Sequence, residues 1–143
     1  KTYKKLYKNN INKGESTMIK KVETKFSVRD GGHYTPGIIY NGVIYISGQL
    51  SIDPETGKVP EGGIHAEARQ ALANLDTVLK EAGLSRDKVL QCRVYLPDVA
   101  YWGALNEEYA EFFGSHKPVR VVVPSNHLYN GCLCEIEAIA AVE

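Results

Sequence analysis

KPVRVVVPSNHLYNGCLCEIEAIAAVE, residues 117–143, holds two short apolar runs, 119–123 and 132–142, with a polar loop between them. Runs this short and this rich in Val and Ile are strands rather than helices. Period-two alternation puts Cys134, Ile136, Ala138 and Ala140 on one face of the second strand. Glu135, Glu137, Ile139 and Ala141 take the other face, acidic at one end and apolar at the other. Such a strand packs helices on its apolar side and meets solvent, a ligand or another subunit on its mixed side. Arg120 and Glu135 are the charges that sit oddly in these strands. They form either a structural ion pair or two snorkelling edge residues, or else a guanidinium fork for a small carboxylate with a proton-handling carboxylate nearby.

Upstream, the spacing of Ile64, Ala68, Ala71, Leu72, Leu75, Val78, Leu79 and Ala82 predicts a helix over 64–82, stopped by Gly83. A strand follows over 89–96, with Leu90, Cys92, Val94 and Leu96 on one face, closed by Pro97. Asp98 is a good N-cap for a second helix over 99–113, whose buried stripe reads Val99, Trp102, Leu105, Tyr109 and Phe112. Toward the N-terminus, 38–40 and 43–47 are strands joined by Asn41-Gly42, a strong hairpin signal. Residues 20–28 read as a first strand, residues 30–32 as a turn, and residues 53–57 as a tight turn. The order β-ββ-α-β-α-ββ is an α+β domain, a single sheet with two helices packed on one face. The other face, carrying Ile139 and Ala141, is expected to self-associate.

At 143 residues the chain is large enough for one real core. Its 43% hydrophobic and 24% charged content is that of an ordinary globular protein. No apolar run nears the roughly 20 residues that span a bilayer, and no signal-peptide pattern is seen, so a cytoplasmic location is expected. Cys92, Cys132 and Cys134 lack C-x-x-C spacing and the four histidines are scattered, so no metal is expected and the thiols read as buried and reduced. Residues 1–17 hold five lysines against Glu15 and read as a disordered or leader-derived tail, with translation expected to start at Met18. The remaining residues carry twelve basic and sixteen acidic side chains, which leaves no basic footprint for nucleic acid.

Residues 22–143 resemble a known family, the reactive-intermediate deaminases (Rid, or YjgF-like, proteins). The resemblance rests on several motifs in order: Ser47-Gly48-Gln49; Arg69-Gln70-Ala71-Leu72-x-Asn74-Leu75; Asn106-x-x-Tyr109 with Phe112-Phe113; Pro118-x-Arg120; and Glu135-Ile136-Glu137-Ala138-Ile139-Ala140. It implies a chorismate-mutase-like fold assembled as a homotrimer with pockets between subunits. It also implies cofactor-free hydrolysis of 2-imino acids and their enamine tautomers, such as 2-iminobutyrate and 2-iminopropionate, to 2-keto acids and ammonia. Such imines arise from pyridoxal-phosphate enzymes, for example threonine and serine dehydratases.

Residue by residue, the resemblance makes Arg120 the carboxylate-binding arginine and Glu135 the acid/base. Tyr34, the backbone of Ser47 and Gly48, Asn106 and the backbone carbonyl of Val122 become pocket residues. There are departures. The family often has Gly-Pro-Tyr where this chain has Gly32-His33-Tyr34, and Ser then Cys after the arginine where this chain has Val121 and Val122. The 124–130 loop also differs, which bears on substrate preference. Two other functions fit the same residues. A non-catalytic keto-acid binder or sensor would use Arg120 alike and tolerate loss of Glu135. An RNA-acting translation inhibitor or endoribonuclease is a label some relatives carry, and the acidic balance argues against it.

Overall fold

The computed structural model of the chain describes residues 18–25 and 32–142, so the expectations for 1–17 and for most of the turn at 30–32 lie outside the described residues. Six strands form one sheet: β1 (Lys20–Val22), β2 (Gly37–Tyr40), β3 (Val43–Leu50), β4 (Val89–Leu96), β5 (Val119–Pro124) and β6 (Glu135–Ala141). Among the described residues two helices, α1 (Gly63–Glu81) and α2 (Trp102–Phe113), join these strands in the element order read from the sequence. The sheet order is β1-β2-β3-β6-β4-β5. All pairs are antiparallel except β4 with β5, which run parallel because α2 carries the chain back between them. The last strand thus lies inside the sheet, between β3 and β4.

Asn41 and Gly42 both take positive φ, 50° and 75°, as the twist-matched two-residue hairpin requires. The core lies between one sheet face and the two helices. Ile44, Ile46, Cys92, Val94, Ile136, Ala138 and Ala140 meet Ala68, Ala71, Leu72, Leu75, Val78 and Leu79 of α1 and Leu105, Tyr109 and Phe113 of α2. Beyond Glu81, the Leu84 amide bonds back to the Leu79 carbonyl while Gly83 takes φ 74°, which turns the chain off the helix.

Three local expectations are corrected. β1 stops at Val22 rather than 28, because only Val22 is buried and residues 23–25 leave the sheet; residues 26–28 lie outside the described residues. In β4 a register shift between Val89 and Gln91 turns Leu90 outward and puts Val89 in the core instead. At α2, Val99–Tyr101 form a 3₁₀ turn, with the Asp98 carboxylate accepting the Ala100 amide at 2.8 Å. That tighter turn rotates the entry, so Val99 and Trp102 are exposed and the buried stripe is Leu105, Glu108, Tyr109 and Phe113.

Two polar clamps tie the helices together. Near the start of α1, His65 and Arg69 both reach Oε1 of Glu108, at 2.9 and 2.7 Å. Near its end, Asp76 takes Arg86 Nε at 3.1 Å and Nη2 at 3.2 Å, plus Lys80 at 2.8 Å. Arg86 also donates to the Phe112 carbonyl and stacks 3.9 Å over the Phe112 ring. Burial alone would raise the Asp76 pKa, but the hydrogen bonds and charges of Arg86 and Lys80 outweigh it and hold the pKa below the usual 3.8. A depressed folded-state pKa means stability that is present above 3.8 and lost as pH falls through the folded value. Asp76→Asn is therefore expected to cost about 1–3 kcal/mol of unfolding free energy at neutral pH. Urea titrations from pH 7 to pH 2 should show that difference shrinking toward the acid end, and a constant difference would contradict the linkage.

Candidate active site

Two groups of side chains stand out, and each is built by a different part of the sheet. The first surrounds Arg120. In the β4–β5 ladder Arg120 stands opposite Cys92, a fully buried residue of the helix-covered face. The guanidinium therefore emerges beneath α2. Its Nη1 donates to Asn106 Oδ1 at 3.0 Å, and its centre lies 4.7 Å from the Tyr109 ring and 5.4 Å from the Trp102 ring. Trp102, Asn106 and Tyr109 follow at the i, i+4, i+7 spacing that shares one helix stripe. Two aromatic faces and an amide oxygen hold the cation in place. No carboxylate among the described residues pairs with it. Most of its five N–H donors are left for a ligand. Val122, two residues on along the same face, packs against the core.

The second group surrounds Glu135. β3 and β6 slip register between Ile46 and Gln49, and Ser47-Gly48 fill that irregularity. The Glu135 side chain lies across Gly48, so that a Cβ there would overlap Oε1 and sit 3.1 Å from Cδ. Gly48 is thus the residue that lets the carboxylate lie against backbone. Ser47 Oγ donates to the Thr35 carbonyl at 2.6 Å and its amide bonds the Pro36 carbonyl at 2.9 Å. Those bonds bring the segment behind Tyr34 against the bulge, while the Tyr34 side chain itself is exposed. Glu135 is half-buried and no hydrogen bond or cation among the described residues satisfies it. Burial first, and the neighbouring Glu137 charge second, raise its pKa above 4.5.

Register decides how the groups relate. Glu135 faces Tyr95, which faces Val123, on the uncovered side of the sheet. Arg120 faces Cys92, which faces Ala138, on the helix side. Within one chain, then, Arg120 with Asn106 and Glu135 with Gly48 occupy opposite faces and make no ion pair. Glu137 pairs instead with Arg93 at 2.6 Å, across a shallow depression of about 230 Å³ lined by Tyr45, Gln91 and Ile139.

The thiols are poor nucleophiles where they stand. Burial pushes Cys92 up to about 11 and Cys134 to about 12. Among the described residues no group of three or more His, Cys, Asp and Glu side chains gathers as a metal site would. Nor is any helix among them long and apolar enough to cross a membrane. Sequence reasoning missed Trp102 as a neighbour of Arg120, although its position four residues before Asn106 on one helix was the available signal. It also missed Glu67, whose carboxylate accepts the Leu133 amide at 2.7 Å.

Comparison with known proteins agrees with this architecture. A family model described as endoribonuclease L-PSP matches residues 26–142. A RutC family protein of Pyrococcus horikoshii is 42% identical over 112 residues, covering 78% of this chain and 89% of its own. The rat protein named 2-iminobutanoate/2-iminopropanoate deaminase is 37% identical over 126 residues, covering 87% and 92%. A crystal structure of a Yersinia pestis protein of the Rid family superposes with a TM-score of 0.82 at 36% identity, over 87% of this chain and all of that one. With its strand order, its Ser47-Gly48 bulge and these matches, the chain belongs to the Rid (YjgF-like) family, the one whose model is described as endoribonuclease L-PSP.

Proposed function

We propose that this protein hydrolyses reactive 2-imino acids and their enamine tautomers, such as 2-iminobutyrate and 2-iminopropionate, to 2-keto acids and ammonia. The observation that carries the reading is a pair of groups that are incomplete among the described residues: an aromatic-held guanidinium with no carboxylate partner, and a half-buried carboxylate with no cation. Each has the one feature that the other lacks. The curated relatives that bear the deaminase name support the same chemistry.

Because the two groups face opposite ways in one chain, we assign the pocket to the contact between copies, with Arg120 and Asn106 from one subunit and Glu135, Gly48 and Tyr34 from its neighbour. A homotrimer, as the family resemblance implied, closes such contacts into a ring. The uncovered face supports association, since Tyr45, Val119, Val121 and Val123 are exposed there beside Ile139. A cytoplasmic setting suits the three buried free thiols.

Arg120 would grip the substrate carboxylate bidentately and fix its plane. The Gly48 amide and the Val122 carbonyl would orient the carboxylate and the imine N–H. Glu135, with its raised pKa, would take a proton from water as the oxygen attacks C2 of the C=N group. Glu135 returns that proton to the nitrogen, which gives the carbinolamine. It then relays the hydroxyl proton to the nitrogen as C=O forms and the C–N bond breaks, so that ammonia and the 2-keto acid leave. The imine is intrinsically reactive, so positioning accounts for most of the acceleration and the step calls for no metal or organic cofactor.

Substitutions separate this enzyme from a keto-acid sensor. Arg120→Ala is expected to abolish both imine hydrolysis and 2-ketobutyrate binding, and Arg120→Lys to recover little. Glu135→Gln should keep keto-acid binding yet lose roughly 10²-fold in turnover. Wild-type kcat/KM should fall on the acid side with a midpoint above 4.5, because the deprotonated base is lost there. Wild-type turnover in Glu135→Gln would make Glu135 structural, and keto-acid binding without any imine decay in the wild type would establish the sensor. Light scattering on the eluting gel-filtration peak should give a trimer, whereas a monomer at all concentrations would remove the shared pocket.

A further inference from the structure

Glu67 is a charged side chain that the mechanism above does not use. It sits on the first turns of α1, is only 3% exposed, and has no cation within ion-pair reach among the described residues. Among the described residues its one hydrogen bond reaches 66 positions along the chain, to the Leu133 amide at 2.7 Å. Leu133 lies two residues before Glu135, in the stretch that turns from the 3₁₀ segment Tyr129–Gly131 into β6. That stretch precedes the ladder, which begins at Glu135 itself with Leu50 and Tyr95 as its partners, so the Leu133 amide is held by α1 rather than by the sheet. On the other side of Glu135, Leu50 is its partner in β3, and the Leu50 and Ile52 carbonyls both accept from Asn74 at 2.9 Å. One helix therefore holds the backbone on both sides of the glutamate.

Resting on the deaminase reading, we propose that Glu67 is a positioning residue for Glu135: by holding the Leu133 amide it sets where the Glu135 carboxylate lies against Gly48. The close approach to Gly48 leaves little slack, so a small drift of the 132–134 backbone moves the carboxylate off the glycine and toward water. The groups that share this environment are Glu67 from α1, Glu137 from β6, and the Cys132 and Cys134 thiols, which feel both Glu67 and Glu135. Burial raises the Glu67 pKa and the Leu133 amide lowers it less. The acceptor oxygen, present in either protonation state, is thus the part that acts.

Two variants of nearly equal size test this on the full chain. Glu67→Gln keeps an acceptor for Leu133, whereas Glu67→Met fills the space without one. The readouts are kcat for imine hydrolysis, the Kd of 2-ketobutyrate, and the titration of Glu135 followed by NMR with carbon-13-labelled glutamate. Glu67→Met is expected to lose roughly tenfold in kcat with Kd unchanged, and to lower the Glu135 midpoint by about half a pH unit as the carboxylate gains water. Glu67→Gln should return both to near wild type. If Glu67→Met does not fold, Glu67→Ser, which hands the Leu133 amide to water, takes its place with the same expected outcome. Unchanged kcat and midpoint in the variant without an acceptor would overturn the proposal, as would equal losses of kcat and of keto-acid binding in both variants. Should the wild type hydrolyse no imine, the deaminase reading fails, and the Glu135 midpoint alone still decides whether Glu67 positions it.

Discussion

Side chains of a strand alternate between faces, and in this sheet the alternation of β6 is pinned on both flanks by its register with β3 and β4. A slip of one residue would turn Ile136, Ala138 and Ala140 out of the core, so the parity of Glu135 is as firmly fixed as the core itself. Arg120 is held to the opposite parity by β4 and then gripped by α2. The separation of the two charged groups follows from burying the apolar half of each strand. The proposed pocket therefore needs a second copy to bring the two groups together.

Two carboxylates shifted in opposite directions show how environment divides structure from chemistry. Asp76 and Glu135 both carry a desolvation cost that raises their pKa. At Asp76 the hydrogen bonds from Arg86 and Lys80 exceed that cost, and the group locks helices together. At Glu135 no group among the described residues offsets it, and Glu137 adds to it. A carboxylate left unsatisfied in this way has proton affinity to spare for a substrate.

Much of this was legible from residue order. The faces of β6 could be read from its alternation, the hairpin from Asn41-Gly42, and the α1 stripe from its spacing, because each is a local pattern that burial reinforces. Leu90 misled because a β-bulge breaks the period of two, which sequence alternation alone does not show. Trp102 misled because a 3₁₀ turn shifts the helical phase at the entry of α2. The insertion of β6 between β3 and β4, and hence the opposite facing of Arg120 and Glu135, depends on pairings far apart in sequence. Glu67 was invisible for the same reason, its partner being a backbone amide at the far end of the chain.

Subunit mixing tests the shared pocket most directly. Arg120→Ala and Glu135→Gln chains, each expected to be severely impaired alone, would be unfolded together in equal amounts, refolded and assayed for imine hydrolysis. A pocket that draws Arg120 from one copy and Glu135 from the next is intact wherever a Glu135→Gln chain supplies the arginine and an Arg120→Ala chain the glutamate. Random assembly then restores about a quarter of the wild-type activity. A mixture verified to contain both chains in one assembly yet no more active than either variant alone would contradict the account.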